Sequence, residues 1–235
     1  MPTAEITRKG ALISNFNGIT ARIAAARKKS GVPELPAPFM AVIKYAADED
    51  VKVLVETGLV SIAGESRVQD ARARWTAGRL APLRSRVTLH FIGHLQANKA
   101  KAAVELFDWI DSVDSFRIAA EIDRHAAALG KVMPVLIQLK LSDSPTQSGT
   151  DPGKAGELLE RLRELRNLDP RGYMGIAPAG ASEGELRAVF AEARKVFDRD
   201  FRGAGCHLSL GMSGDFELAV EAGSTLPRIG SSLFA

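Results

Sequence analysis

The chain has 235 residues, 46% of them hydrophobic and 25% charged, which is enough to bury a large core and excludes disordered and fibrous classes. Thirty-one Lys+Arg against 28 Asp+Glu leave a net charge of +3, too small and too dispersed for a nucleic-acid footprint. The single cysteine, Cys206, precludes an intrachain disulfide framework, the N-terminus is too charged for a signal peptide, and no apolar run approaches the ~18 residues of a membrane span. These features predict a soluble cytoplasmic protein with neither a membrane nor a nucleic acid as partner.

The first predicted element is a helix. Ile13, Phe16, Ile19 and Ile23 recur at three- and four-residue spacing, Lys28 and Lys29 fall in its last turn, and Gly31 suits the C-terminal cap. A Pro-rich connector at 32–38 follows, and the pattern then changes. Short apolar runs at 38–44, 61–65, 87–93, 107–113, 132–141, 171–177, 207–212 and 225–230 alternate with longer amphipathic stretches. Several runs are continuously apolar, as strands covered on both faces must be. Between them, Ile118, Ile122, His125 and Leu129 predict one helix face, and Asp151-Pro152 reads as an N-cap ahead of Leu158, Leu162 and Leu165. Ser182 and Glu185 form a capping box ahead of a stripe through Leu186, Val189/Phe190, Ala193 and Phe197.

Eight strand segments, each followed by a helix-sized connection, predict an α/β fold, a (β/α)8 barrel with one extra N-terminal helix. No linker or composition shift divides the chain, so residues 1–235 read as one domain. A doubly wound open sheet is the alternative, disfavoured because no glycine-rich turn follows an early strand. In a barrel, chemistry belongs at the C-terminal strand ends.

Lys44 closes the first apolar run and is expected to be half-buried, where desolvation would leave part of its amine neutral for Schiff-base chemistry. A lysine stem reaching over the rim is an equally good reading. Lys140, near the end of the fifth run, is a rival that spacing does not separate from Lys44. The stretch 209–215 carries Ser209, Gly211, Ser213 and Gly214 ahead of a helix, and Arg228, Gly230, Ser231 and Ser232 follow at the eighth strand end. Two adjacent donor-rich loops at the seventh and eighth strands match the usual phosphate site of barrels, although βα turns favour Gly and Ser in any case. The four histidines show no metal-ligand spacing, and no metal site is expected. The loops at 64–66 and 93–99 read as turn and cap chemistry.

The segments AVIK, GESRVQD, HFIGHLQANK, PVLIQLKLSDSPTQSG, GYMGIAP and LSLGMSGDFELAVEAGSTLPRIGSSLF together resemble the pyridoxal phosphate (PLP) homeostasis family. They span almost the whole chain in the family's order. The resemblance implies a single fold-type III PLP barrel like the N-terminal domain of alanine racemases. It implies that Lys44 carries the Schiff base and that Ser209, Ser213, Gly230 and Ser231 hold the phosphate. It further implies that Arg228 faces the pyridine nitrogen, with Met174 and Asn98 near the cofactor face. The implied function is a carrier or reservoir of pyridoxal 5'-phosphate and related B6 vitamers, serving apo-PLP enzymes and monomeric. An arginine at the pyridine nitrogen opposes ring protonation and disfavours carbanion chemistry. Two alternatives stand beside it. An amino-acid racemase needs acid–base groups on both faces of the bound substrate and, in the racemases, a second domain for which no residues remain. A phosphosugar-type barrel enzyme would use Lys44 or Lys140 without PLP. The sequence departs from the family pattern at Tyr45, Ser66, Lys140 and Leu210. The chain also ends at Ala235, soon after the eighth strand segment, which implies a short final helix and apolar exposure around Leu233 and Phe234.

Overall fold

In the computed structural model, residues 3–31, 37–145, 147–203 and 205–235 are described, with side chains from Arg8 onward. Eight strands run in chain order as β1 (Met40–Val42), β2 (Ile62–Glu65), β3 (Thr88–Phe91), β4 (Trp109–Val113), β5 (Met133–Lys140), β6 (Leu168–Ile176), β7 (His207–Ser209) and β8 (Arg228–Ile229). All pairings are parallel, in the order β7-β6-β5-β4-β3-β2-β1-β8, so the sheet curls into a nearly closed barrel. Helices follow the strands, namely α2 (Asp48–Glu56), α3 (Val68–Arg72), α4 (Ala100–Leu106), α5 (Phe116–Ala128), α6 (Ala155–Arg163), α7 (Glu183–Asp200), α8 (Phe216–Glu221) and α9 (Ser231–Phe234). The extra helix α1 (Thr3–Ser30) packs on α8 and α9.

The predicted barrel is therefore present, and each strand lies in or overlaps its apolar run. Differences arise at the edges. The buried stripe of α1 is Leu12, Phe16, Ile19 and Ile23, with Leu12 in place of Ile13, because only that set keeps one face at the 3.6-residue period. Leu129 is 52% exposed because α5 ends at Ala128, where the chain turns away through Gly130. The Ser182–Glu185 capping box forms in full, and Asp151 accepts from the Gly153 amide at 2.8 Å. Most of the connector expected at 32–38 lies outside the described residues.

Alternation along the strands sorts side chains into two layers. Ala41 and Ile43 join the core between strands and helices, while Met40 and Val42 turn inward. The barrel interior also holds a buried polar pair, His90 Nδ1 at 2.9 Å from Asp111, with Trp109 stacked on the imidazole. No described helix is long and apolar enough to cross a membrane.

Candidate functional site

A cavity of about 560 Å³ opens at the C-terminal ends of β8, β1 and β7. It is lined by Val42 at the end of β1, by Lys44, Tyr45 and Ala46 after it, by Met212, Ser213 and Gly214 after β7, and by Arg228, Gly230, Ser231 and Phe234 around β8. Three chain segments far apart in sequence meet here because β8 pairs with β1, and the β7 end is tied to the chain leading into β8 through Thr225 N to Leu208 O at 2.9 Å and Arg228 N to Gly211 O at 3.0 Å.

The floor is Arg228, only 3% exposed. Its guanidinium donates to Ser209 O at 2.6 Å, Ser209 Oγ at 3.0 Å and Gly175 O at 2.8 Å. Burial lowers its pKa to about 10, partly offset by the carboxylates of Asp111 and Asp215, so it remains a cation at neutral pH. On the β7–β8 side, Ser213 Oγ accepts from the amides of Gly230 and Ser232, each at 3.3 Å. Gly211 shapes the start of that loop. It sits at φ +87°, and a Cβ there would lie 2.6 Å from Ala219 Cβ.

Lys44 stands on the opposite rim and is exposed, not half-buried, because β1 ends at Val42, two residues before it. Its Nζ lies 5.1 Å from the centroid of the Tyr45 ring, which is itself 83% exposed. One amine, one buried guanidinium and a hydroxyl-and-amide cradle therefore face a common space, and none of the described lining residues is acidic. That donor set fits a small molecule with an anionic end and an electrophilic carbon.

Of the residues expected at the site, Lys44, Ser213, Arg228, Gly230 and Ser231 line this cavity, and Ser209, Met174 and Asn98 do not. Ser209 is fully buried below Arg228. Its hydroxyl donates to Leu226 O at 2.8 Å, so it holds the arginine instead of facing the cavity. Met174 is also fully buried, beside Ser209 in the β6–β7 register, and Asn98 is exposed on the turn after β3. Leu233, expected to be exposed, is fully buried, and Phe234 forms part of the cavity wall. Val42, Met212 and Phe234 were missed as wall residues. The step of two from Met40 through Val42 to Lys44 was a usable signal for Val42, whereas Met212 and Phe234 carried none.

Lys140, half-buried at the end of β5, lines a different cavity with Asp143, Asp151, Glu185 and Glu192. A third group, Ser148 Oγ at 2.9 Å and Asp114 Oδ2 at 3.4 Å, meets His94 on the same ring nitrogen, Nδ1. A nucleophile–base–carboxylate relay needs opposite ring nitrogens, so this group is not one and ties the loops of Asp114, Ser148 and His94 together.

The fold and the rim chemistry define an alanine-racemase-like barrel. The family described as alanine racemase, N-terminal domain, matches residues 15–235. An alanine racemase from Clostridium difficile 630 superposes with TM-score 0.68 at 16% identity, over 97% of this chain and 59% of that one, a likeness of fold alone. A curated relative from Synechocystis, called pyridoxal phosphate homeostasis protein, is 37% identical over 83% of this chain and 89% of its own. PipY of Synechococcus elongatus, solved with PLP bound, is 36% identical with TM-score 0.76, over 92% of this chain and all of that one. The chain belongs to the pyridoxal phosphate homeostasis protein family.

Proposed function

We propose that this protein binds pyridoxal 5'-phosphate and acts in PLP homeostasis as a carrier or reservoir, one barrel with Lys44 as the attachment point. The observation that carries the reading is the shared cavity, in which the Lys44 amine, the Arg228 guanidinium and the Ser213–Ser231 cradle converge in a family whose PipY member was solved with PLP. When bound, PLP supplies an aldehyde that condenses with amines and a ring that can draw electrons from them.

The chain's own residues divide the work. Ser213, whose hydroxyl is oriented by the Gly230 and Ser232 amides, would hold the phosphate together with Gly230 and Ser231, and Lys44 would attach the carbonyl carbon. Arg228, fixed by three hydrogen bonds and still charged at neutral pH, would present a cation to the pyridine nitrogen and oppose its gain of a proton. That arrangement favours holding the cofactor over using it. Tyr173, one of only two tyrosines, donates to Asp200 at 2.6 Å, and Tyr45 lies on the same rim as Lys44, its ring under the amine and not across the cavity from it. Neither arrangement favours racemase chemistry, which wants an acid–base group opposite the lysine.

The test is borohydride reduction of the PLP-loaded protein followed by peptide mass spectrometry. The label is expected on Lys44 and absent in Lys44→Ala. A label on Lys140, or racemisation of alanine well above the rate of free PLP, would overturn the assignment.

A further inference from the structure

One side chain outside the cavity, Arg74, grips the loop that carries Lys44 at several points. Arg74 lies in a one-turn π-helical segment, Ala73–Ala77, directly after α3. Such turns are rare and cluster at functional sites. Its guanidinium donates to Ile43 O at 2.9 Å, Ala46 O at 3.1 Å, Asp48 Oδ1 at 2.7 Å and Glu65 Oε1 at 2.8 Å. Two of these acceptors are backbone carbonyls on either side of Lys44, the third opens α2, and the fourth closes β2. Four contacts use four of the five guanidinium N–H groups, in a planar fork that a lysine ammonium with three donors cannot reproduce.

We propose that Arg74 is a positioning residue for Lys44: by tying Ile43 O, Ala46 O and Asp48 to the buried Glu65 carboxylate, it fixes the backbone of 43–48 so that only the lysine side chain moves when the amine captures a carbonyl. This rests on the PLP-binding reading above. The physical need is plain, because Lys44 and Tyr45 are both exposed, leaving the loop without side-chain burial at its centre. Glu65 is 1% exposed, so the anchoring carboxylate cannot drift into water. Ordering the attachment point beforehand removes a cost otherwise met at each capture.

The experiment compares wild type, Arg74→Lys, and the double variant Arg74→Gln/Glu65→Gln, which leaves no orphaned buried carboxylate. Three quantities are read for each: amide hydrogen exchange without added PLP, the rate of PLP capture, and the affinity for pyridoxine 5'-phosphate, which has the phosphate and ring but no aldehyde. In the double variant, exchange should quicken about tenfold within 43–48 and not across β5 and β6, and PLP capture should slow about tenfold, while pyridoxine phosphate affinity stays unchanged. Arg74→Lys should recover part of both effects. Unchanged exchange at 43–48 would overturn the proposal. So would an equal loss of affinity for both vitamers, the signature of a merely structural role. A wild type that captures no PLP overturns the functional reading together with the clamp, whereas a capturing wild type with an unaffected double variant overturns the clamp alone.

Discussion

Two arcs of the barrel are held together by different chemistry. Between β5 and β6 the strands are eight and nine residues long and pair along nearly their whole length. Where β7 meets β8 the strands are three and two residues long, and among the described residues they form no ladder. Hydroxyls and a few isolated backbone bonds stand in for it. Ser224 Oγ lies 2.7 Å from Leu210 O, 3.1 Å from Leu208 O and 3.1 Å from Leu210 N, and Thr225 Oγ1 accepts from Leu208 N at 2.9 Å. Ser209 Oγ reaches Leu226 O, and Arg228 spans back to Ser209 O and Gly175 O. A backbone ladder commits its N–H and C=O groups to neighbouring strands. A seam closed largely by side chains keeps the adjacent loop amides of Gly230 and Ser232 out of any ladder, where they donate to the Ser213 hydroxyl, and the cavity lies at that seam.

The contrast can be broken by substitution, and the largest effect is expected at Arg228. Arg228→Leu leaves two buried carbonyls without their donor and should cost about 3 kcal/mol in denaturant unfolding while abolishing PLP capture. Retention of stability within experimental error would mean that the seam does not depend on this side chain. Ser224→Ala should cost about 2 kcal/mol, because it takes a partner from both Leu210 N and Leu210 O, whereas Leu208 O keeps the Thr225 amide.

A third effect concerns Glu65. Burial raises its carboxyl pKa from 4.5 to about 6, with Asp70 adding to the rise and the Arg74 cation opposing it. The folded state therefore holds this proton more tightly than the unfolded chain. The associated stabilisation is complete below about pH 4.5 and is lost as pH rises through about 6, a change of about 2 kcal/mol. Glu65→Gln should flatten that part of the stability–pH curve measured by urea unfolding. An unaltered curve would place the titrating group elsewhere.

The smallest effect sharpens the comparison most. Ser112, on β4 in the laddered arc, is 1% exposed and its hydroxyl has no partner. Ser112→Ala should change stability by about zero or raise it slightly, since removing an unpaired buried hydroxyl relieves its desolvation. Two equally buried serines would then differ by about 2 kcal/mol for reasons of hydrogen bonding alone. Equal losses at Ser112 and Ser224 would erase the distinction between seam and ladder.

The strands were legible in the sequence because each is a short apolar run bounded by turn residues. The capping box at Ser182 and the Asp151 cap were legible because their chemistry is local. The site was legible in part. Lys44, Ser213 and Arg228 mark strand ends, but Ser209 lies too deep to reach the cavity, and only the β7–β8 seam reveals that it holds Arg228. Phe234 enters the wall because α9 lies against α1, a contact between opposite ends of the chain. Arg74 gave no signal at all. Its four acceptors lie between 9 and 31 residues away.

What the sequence determined by itself was the repeating alternation of strand and helix and the family to which the chain belongs. These depend on periodicity and on ordered motifs, both of which are properties of neighbouring residues. What only the tertiary structure decided was which side chains share the cavity, how deep each one sits, and what closes the barrel. Depth and closure depend on strand lengths, on the pairing of β8 with β1, and on donors meeting acceptors across long stretches of chain, and those distances exist only once the barrel has formed.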